Sequence, residues 1–261
     1  MTTTLPGAAR TSNRLDGKVV LVTGGGTGLG SAVALAVARA GGDIALTFHT
    51  SEHGAEKTAA AARELGVRCL TRSLDVRDQQ DVVGAVAWAV ESFGRLDGLV
   101  NNAGVMPEHP FLEITADQWD DVLRTDLTGA FYASQAAIPA MLAGGGGSIV
   151  NIASRLGQVG WPKVAHYASA KAGTIALVKS ISREFGQQGI RANAVSPGVM
   201  NTDMGRTVME GEIGRKRMAE LPLGRFAEPE EVADAVVFLL SEDSALFLGQ
   251  TLCPNAGGLM P

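Results

Sequence analysis

The chain has 261 residues, 46% hydrophobic and 19% charged, with 22 Lys and Arg against 27 Asp and Glu for a formal charge of −5. That balance excludes a disordered chain and, with no Lys/Arg run, an electrostatic binder of nucleic acid. The longest apolar stretches, such as residues 235–240, fall far short of the roughly 18 residues a membrane span needs.

In chain order, residues 1–14 are polar and lack an apolar run, which predicts a loose N-terminal arm and not a signal peptide. Residues 15–261 are expected to form one domain. Residues 18–23 (KVVLVT) read as a buried strand, 29–40 as a small-residue helix, 43–48 as a strand, 52–65 as a helix and 67–74 as a third strand. Residues 78–93 are helical in pattern and 96–101 give a fourth strand. Thr115 opens a long helix, with Gln118 completing a capping box. Strands at 148–153 and 190–195 bracket a helix at 164–185. Pro229 stands at the first position of a last helix, before a short strand at 250–253. This alternation predicts a single doubly wound α/β domain, its seven-stranded sheet predominantly parallel with helices on both faces. Cys69 and Cys253 lie far apart, against a disulfide framework and a zinc site, and suit a cytoplasmic protein with no metal.

Glycine is in excess: 33 residues, nearly twice the usual share of about 7%. Five of them fall in Gly24-Gly25-Gly26-Thr27-Gly28-Leu29-Gly30, which joins the first strand to the first helix. A tight turn that delivers bare backbone N–H groups to a helix N-terminus is the chemistry of a pyrophosphate site. No Gly-Lys-Ser/Thr follows, which removes the nucleoside-triphosphatase form of such a loop. Substitution of Gly28 or Gly30 is therefore expected to damage ligand binding. The turn at residues 144–147 (GGGG) is expected to tolerate change.

The TGxxxGxG spacing is one of five motifs in order. Asn101-Asn102-Ala103-Gly104 follows the fourth strand, Ser154 the fifth, Tyr167 has Lys171 four residues on, and Pro197-Gly198 is followed by Thr202. Across residues 15–258 the chain resembles the short-chain dehydrogenase/reductase family of the roughly 250-residue type, most nearly its 3-oxoacyl carrier-protein reductases and related ketoreductases. The resemblance implies hydride transfer between a nicotinamide and a carbonyl or secondary alcohol. Phenol is a weak acid unaided, and a nearby ammonium favours phenolate, so Tyr167 beside Lys171 is the expected general acid/base. Ser154 is expected to position the substrate oxygen, and Lys171 also to hold the nicotinamide ribose. Asp126 joins the expected catalytic set as a departure. Where the family carries Asn in N-x-x-G and holds a water for proton resupply, this chain has Asp126-Leu127-Thr128-Gly129.

The resemblance assigns the cofactor to Gly24, Gly26, Thr27, Gly28, Leu29 and Gly30 at the phosphates, with Asp75 and Val76 at the adenine. Asn102, Ala103 and Gly104 would lie along the riboses, and Pro197, Gly198, Met200 and Thr202 around the nicotinamide. His49, Thr50 and Ser51 end the second strand with no acid before Glu52. A ribose-binding carboxylate is thus missing, which favours NADP(H) over NAD(H). His49 is equally readable as a half-exposed strand end, and Pro197-Gly198 as a simple turn. Residues 203–221 read as a lid or as a solvated helix. Arg155, Gln158, Trp161 and His109 would serve a polar or acidic substrate, or simply face water. Residues 138–143 carry no base, so docking of an acidic carrier protein is not favoured over a small-molecule substrate. A homotetramer is expected by resemblance. The competing readings are an NAD-dependent alcohol dehydrogenase and a non-catalytic nucleotide sensor on the same fold.

Overall fold

The structure, a computed structural model, describes residues 14–260; apart from Arg14, the expected N-terminal arm lies outside the described residues. Seven strands form one sheet: β1 (Val19–Val22), β2 (Asp43–Phe48), β3 (Cys69–Ser73), β4 (Gly98–Asn101), β5 (Gly147–Ile152), β6 (Ile190–Val195) and β7 (Thr251–Leu252). Their spatial order is β3-β2-β1-β4-β5-β6-β7, and every pairing is parallel. The central strands β1 and β4 are buried at every position, as a sheet covered on both faces requires.

One layer consists of α1 (Gly28–Arg39), α2 (Glu52–Glu64) and α10 (Pro229–Leu240); the other of α3 (Gln79–Phe93), α5 (Gly129–Ala143) and α7 (Ala165–Phe185). Chain order reverses between β1 and β4, where an open parallel sheet leaves a crevice beyond its strand ends. Asp78 caps α3 by accepting from the Gln80 and Asp81 N–H groups, and Thr115 and Gln118 form the expected capping box.

Three features differ from expectation. The long helix after Thr115 is two helices, α4 (Ala116–Leu123) and α5, joined by a π-helical turn at Arg124–Thr128. Periodicity near 3.6 carries no mark of that inserted residue. Residues 203–221 hold two helices, α8 (Asp203–Met209) and α9 (Gly211–Ala219), and a one-turn α6 (Leu156–Val159) follows β5. The four-glycine turn is not uniformly tolerant. A carbon added at Gly147 would stand 2.6 Å from Met141 Sδ; one at Gly146, whose φ is +129°, would meet Gly189 O at 2.7 Å. Only Gly144 is in an ordinary conformation with room beside it.

Candidate active site

A cavity of about 470 Å³ opens over the strand ends at the β1/β4 reversal. It is lined by every residue of the expected catalytic and cofactor sets: the loop residues Gly24, Gly26, Thr27, Gly28, Leu29 and Gly30, the β2 end at His49, Thr50 and Ser51, and Asp75 and Val76. Asn102, Ala103 and Gly104 follow, then Asp126, Ser154, Tyr167 and Lys171, and finally Pro197, Gly198, Met200 and Thr202. Of the expected substrate residues, Arg155 and Trp161 line it, whereas Gln158, which donates to Ser196 Oγ at 2.7 Å, and His109, edge-on to the His166 ring, do not.

The loop fits an anionic ligand. Thr27 caps α1 without a side-chain hydrogen bond, and the first turn of α1 holds no acid, so its opening N–H groups have no side-chain partner. Gly28 has φ +52°, a conformation that penalises other residues. Asn102 ties the loop to β4: its Nδ2 donates to the Thr23 and Gly24 carbonyls at 2.9 Å each, and its backbone N–H donates to Thr23 Oγ1. A carbon on Gly30 would collide with Gly24 O and stand 2.5 Å from Asn102 Nδ2. Gly25 does not line the cavity; it lies against Leu46 in the core. Asn101 also turns away, donating to Asn151 Oδ1 at 2.8 Å under the sheet.

At the other side of the cavity, α7 carries Tyr167 and Lys171 one turn apart, with Lys171 Nζ 5.5 Å from the Tyr167 ring centroid. Lys171 Nζ donates to Ile152 O, at the end of β5, at 2.9 Å. Asp126 enters from the π-turn: its Oδ2 is 3.1 Å from Lys171 Nζ and its Oδ1 accepts from the Val105 N–H at 2.8 Å. Burial pushes the Asp126 carboxyl upward, against the pull of the Lys171 ammonium. Burial alone would lower Lys171, but Asp126 and Tyr167 hold it above the ordinary lysine value. Burial also raises the Tyr167 phenol; Lys171 opposes this, Asp126 adds to it, and the Ser154 hydroxyl favours ionisation. The expected lowering by the ammonium is present in sign and outweighed by desolvation.

Two residues at the site carried no motif. Arg77 donates to both oxygens of Asp75 and to Asp121 Oδ1 at 2.7 Å, linking the loop after β3 to α4. Hydrogen bonds from Arg77 hold the Asp75 carboxyl down at about 2, with His49 Nε2 3.7 Å from its Oδ2. His166 is fully buried beside Tyr167, with the His109 ring edge-on at 5.9 Å; burial, and then His109, lower its pKa below the ordinary histidine value. Thr202 does work beyond its expected place: it caps α8 by accepting from the Gly205 N–H. No helix among the described residues is long and apolar enough to cross a membrane.

Comparison with known proteins agrees with this architecture. The chain is 36% identical over 243 residues to the 3-oxoacyl-[acyl-carrier-protein] reductase of Staphylococcus aureus, covering 93% of this chain and 98% of the relative. It is 38% identical to an L-rhamnose 1-dehydrogenase (NAD(P)(+)) of a Sphingomonas species, covering 93% and 96%. The crystal structure of a dehydrogenase/reductase from Sinorhizobium meliloti superposes with a TM-score of 0.90 at 31% identity, over 95% of this chain and 98% of that one. Residues 24–258 match the family model described as enoyl-(acyl carrier protein) reductase, and the chain belongs to the short-chain dehydrogenase/reductase family of oxidoreductases acting on CH–OH or carbonyl groups.

Proposed function

We propose that the chain is an NADP(H)-dependent ketoreductase, acting reversibly on a small carbonyl compound or secondary alcohol, with Tyr167 as the general acid/base. The observation that carries this reading is one cavity lined both by the open N-terminus of α1 and by Ser154, Tyr167 and Lys171. A nicotinamide bound there supplies or accepts the hydride. Ser154 fixes the substrate oxygen by a hydrogen bond, and Tyr167 gives that oxygen its proton in reduction and removes it in oxidation. Lys171 holds the ribose hydroxyls and favours phenolate by its charge. Asp126 buffers Lys171 and sits where family members hold their proton-resupply water.

The preference for the 2′-phosphate rests on the end of β2. His49, Thr50 and Ser51 offer donors there, and the carboxylate that lines the cavity beside His49, Asp75, is occupied by Arg77. A panel of ketones and alcohols run with NADPH and with NADH tests both parts. The expected result is turnover, with kcat/KM favouring NADPH by about tenfold or more, the worth of a charge-assisted hydrogen bond. Equal use of NADH would overturn the cofactor preference. Tight NADPH binding with no turnover anywhere in the panel would favour the nucleotide-sensing reading instead.

A further inference from the structure

We propose that Arg155 and Arg217, flanking Trp161, form an anion-binding part of the substrate pocket, so that the substrate carries a carboxylate or phosphate close to its reacting carbon. This rests on the ketoreductase reading of the same cavity, which all three residues line.

Both guanidinium groups address one indole: Arg217 Cζ lies 5.2 Å and Arg155 Cζ 5.9 Å from the Trp161 ring centroid. On α9, Arg215 and Lys216 are exposed, whereas Arg217 is half-buried; the helix turns that one cation toward the cavity. Neighbouring cations are neutralised locally, Arg206 by Asp203, Lys216 by Glu212 and Arg225 by Glu231. Among the described residues, Arg155 and Arg217 enter no ion pair, and the one hydrogen bond Arg155 donates from its side chain is a long one, 3.4 Å, to Gly258 O. Glu108 and Asp203 also line the cavity, outside ion-pair range of either arginine. Half-burial depresses Arg155, and repulsion from Arg217 adds to this more than Glu220 offsets it.

Two partly desolvated like charges, unpaired in a pocket, repel until an anion lies between them. Guanidinium forks suit the planar oxygens of carboxylate and phosphate, and the indole restrains both forks in advance. Arg155 directly follows Ser154 in the chain and both line the same cavity, as do Trp161 and Arg217, so one small substrate can meet the guanidinium groups and the Ser154 hydroxyl together.

The test uses matched pairs: acetoacetate against methyl acetoacetate, and dihydroxyacetone phosphate against dihydroxyacetone. Each is assayed for kcat/KM with NADPH and NADH, and titrated calorimetrically into the protein. The expected result is a preference of tenfold or more for the charged member of at least one pair, which also tells carboxylate from phosphate. That preference should collapse by about tenfold in Arg155→Gln and Arg217→Gln and be largely kept in Arg217→Lys. Turnover with no charge preference, or a preference that survives both glutamine variants, overturns the anion site and leaves the ketoreductase reading intact. Charged-ligand binding that is lost in the variants, without any turnover, supports the anion site and sinks the ketoreductase reading. Binding of neither charged compound overturns the proposal.

Discussion

Asp126 Oδ2 and Lys171 Nζ face each other at 3.1 Å with both side chains almost wholly buried. They meet across Gly104, where one added carbon would stand 2.6 Å from Oδ2 and 3.2 Å from Nζ. The glycine after β4 is thus required by the buried pair itself. The π-turn at Arg124–Thr128 is what aims Asp126 inward, an arrangement of a kind that recurs at functional sites.

Asp126→Asn should keep the enzyme active: its one amide carbonyl can serve only one of the two donors that Asp126 faces, the Val105 N–H or Lys171, but Ile152 O still accepts from Lys171. Its pH profile should move. Asp126 raises the Tyr167 phenol, so removing its charge lowers that pKa. Alcohol oxidation needs phenolate, so the limb that rises with pH through the Tyr167 pKa shifts to lower pH. An unmoved limb would show that Tyr167 does not feel the carboxylate. A dead variant would show that the carboxylate carries a proton step of its own.

Tyr167→Phe should lower kcat by roughly 10²- to 10⁴-fold, the usual contribution of a positioned acid or base. The hydroxyl does not tie the loop or α1 in place, so NADPH affinity measured by calorimetry should stay nearly unchanged. Retained turnover would remove Tyr167 from the chemistry.

Arg77→Ala tests the cofactor preference from the side. With Arg77 present, Asp75 is ionised at any working pH but neutralised. Without it, a bare carboxylate lies 3.7 Å from His49, beside the proposed 2′-phosphate position. KM for NADPH should rise by up to about fivefold, the worth of a partly exposed charge near 1 kcal/mol. KM for NADH should change little; an equal rise for both would mean Arg77 only holds the loop.

Much of this was readable from the chain. β-Branched runs of the right length became β1, β2, β5 and β6 because parallel strands covered on both faces are mostly apolar. Thr115 and Pro229 marked helix starts through backbone needs that local chemistry alone satisfies. Most motif residues converge on one cavity because they sit just past a strand end; Tyr167 and Lys171 reach it from α7 and Asp126 from the π-turn. The π-turn was hidden, since one extra residue in a helix leaves its composition unchanged. The link from Arg77 to Asp121 and the pairing of Arg155 with Arg217 around Trp161 were hidden too, being contacts between segments distant in sequence. Gly146 and Gly147 resembled a loose linker until Met141 and Gly189 were seen against them.

Three glycine substitutions separate these roles. Gly30→Ala forces a carbon onto Gly24 O and Asn102 Nδ2, so it should lower both thermal stability and NADPH affinity. Gly147→Ala must displace Met141 in the core and should cost about 1–3 kcal/mol in a denaturant melt while leaving NADPH affinity alone. Gly144→Ala, at φ −82° with its nearest neighbour 3.4 Å away, should be neutral or slightly stabilising through the unfolded chain. The three melts and three titrations form a set with one discriminating member. Were Gly147→Ala to weaken NADPH as much as Gly30→Ala does, general loosening of the sheet would explain both losses, and the contact between Gly30, Gly24 and Asn102 would have no special part in holding the phosphates.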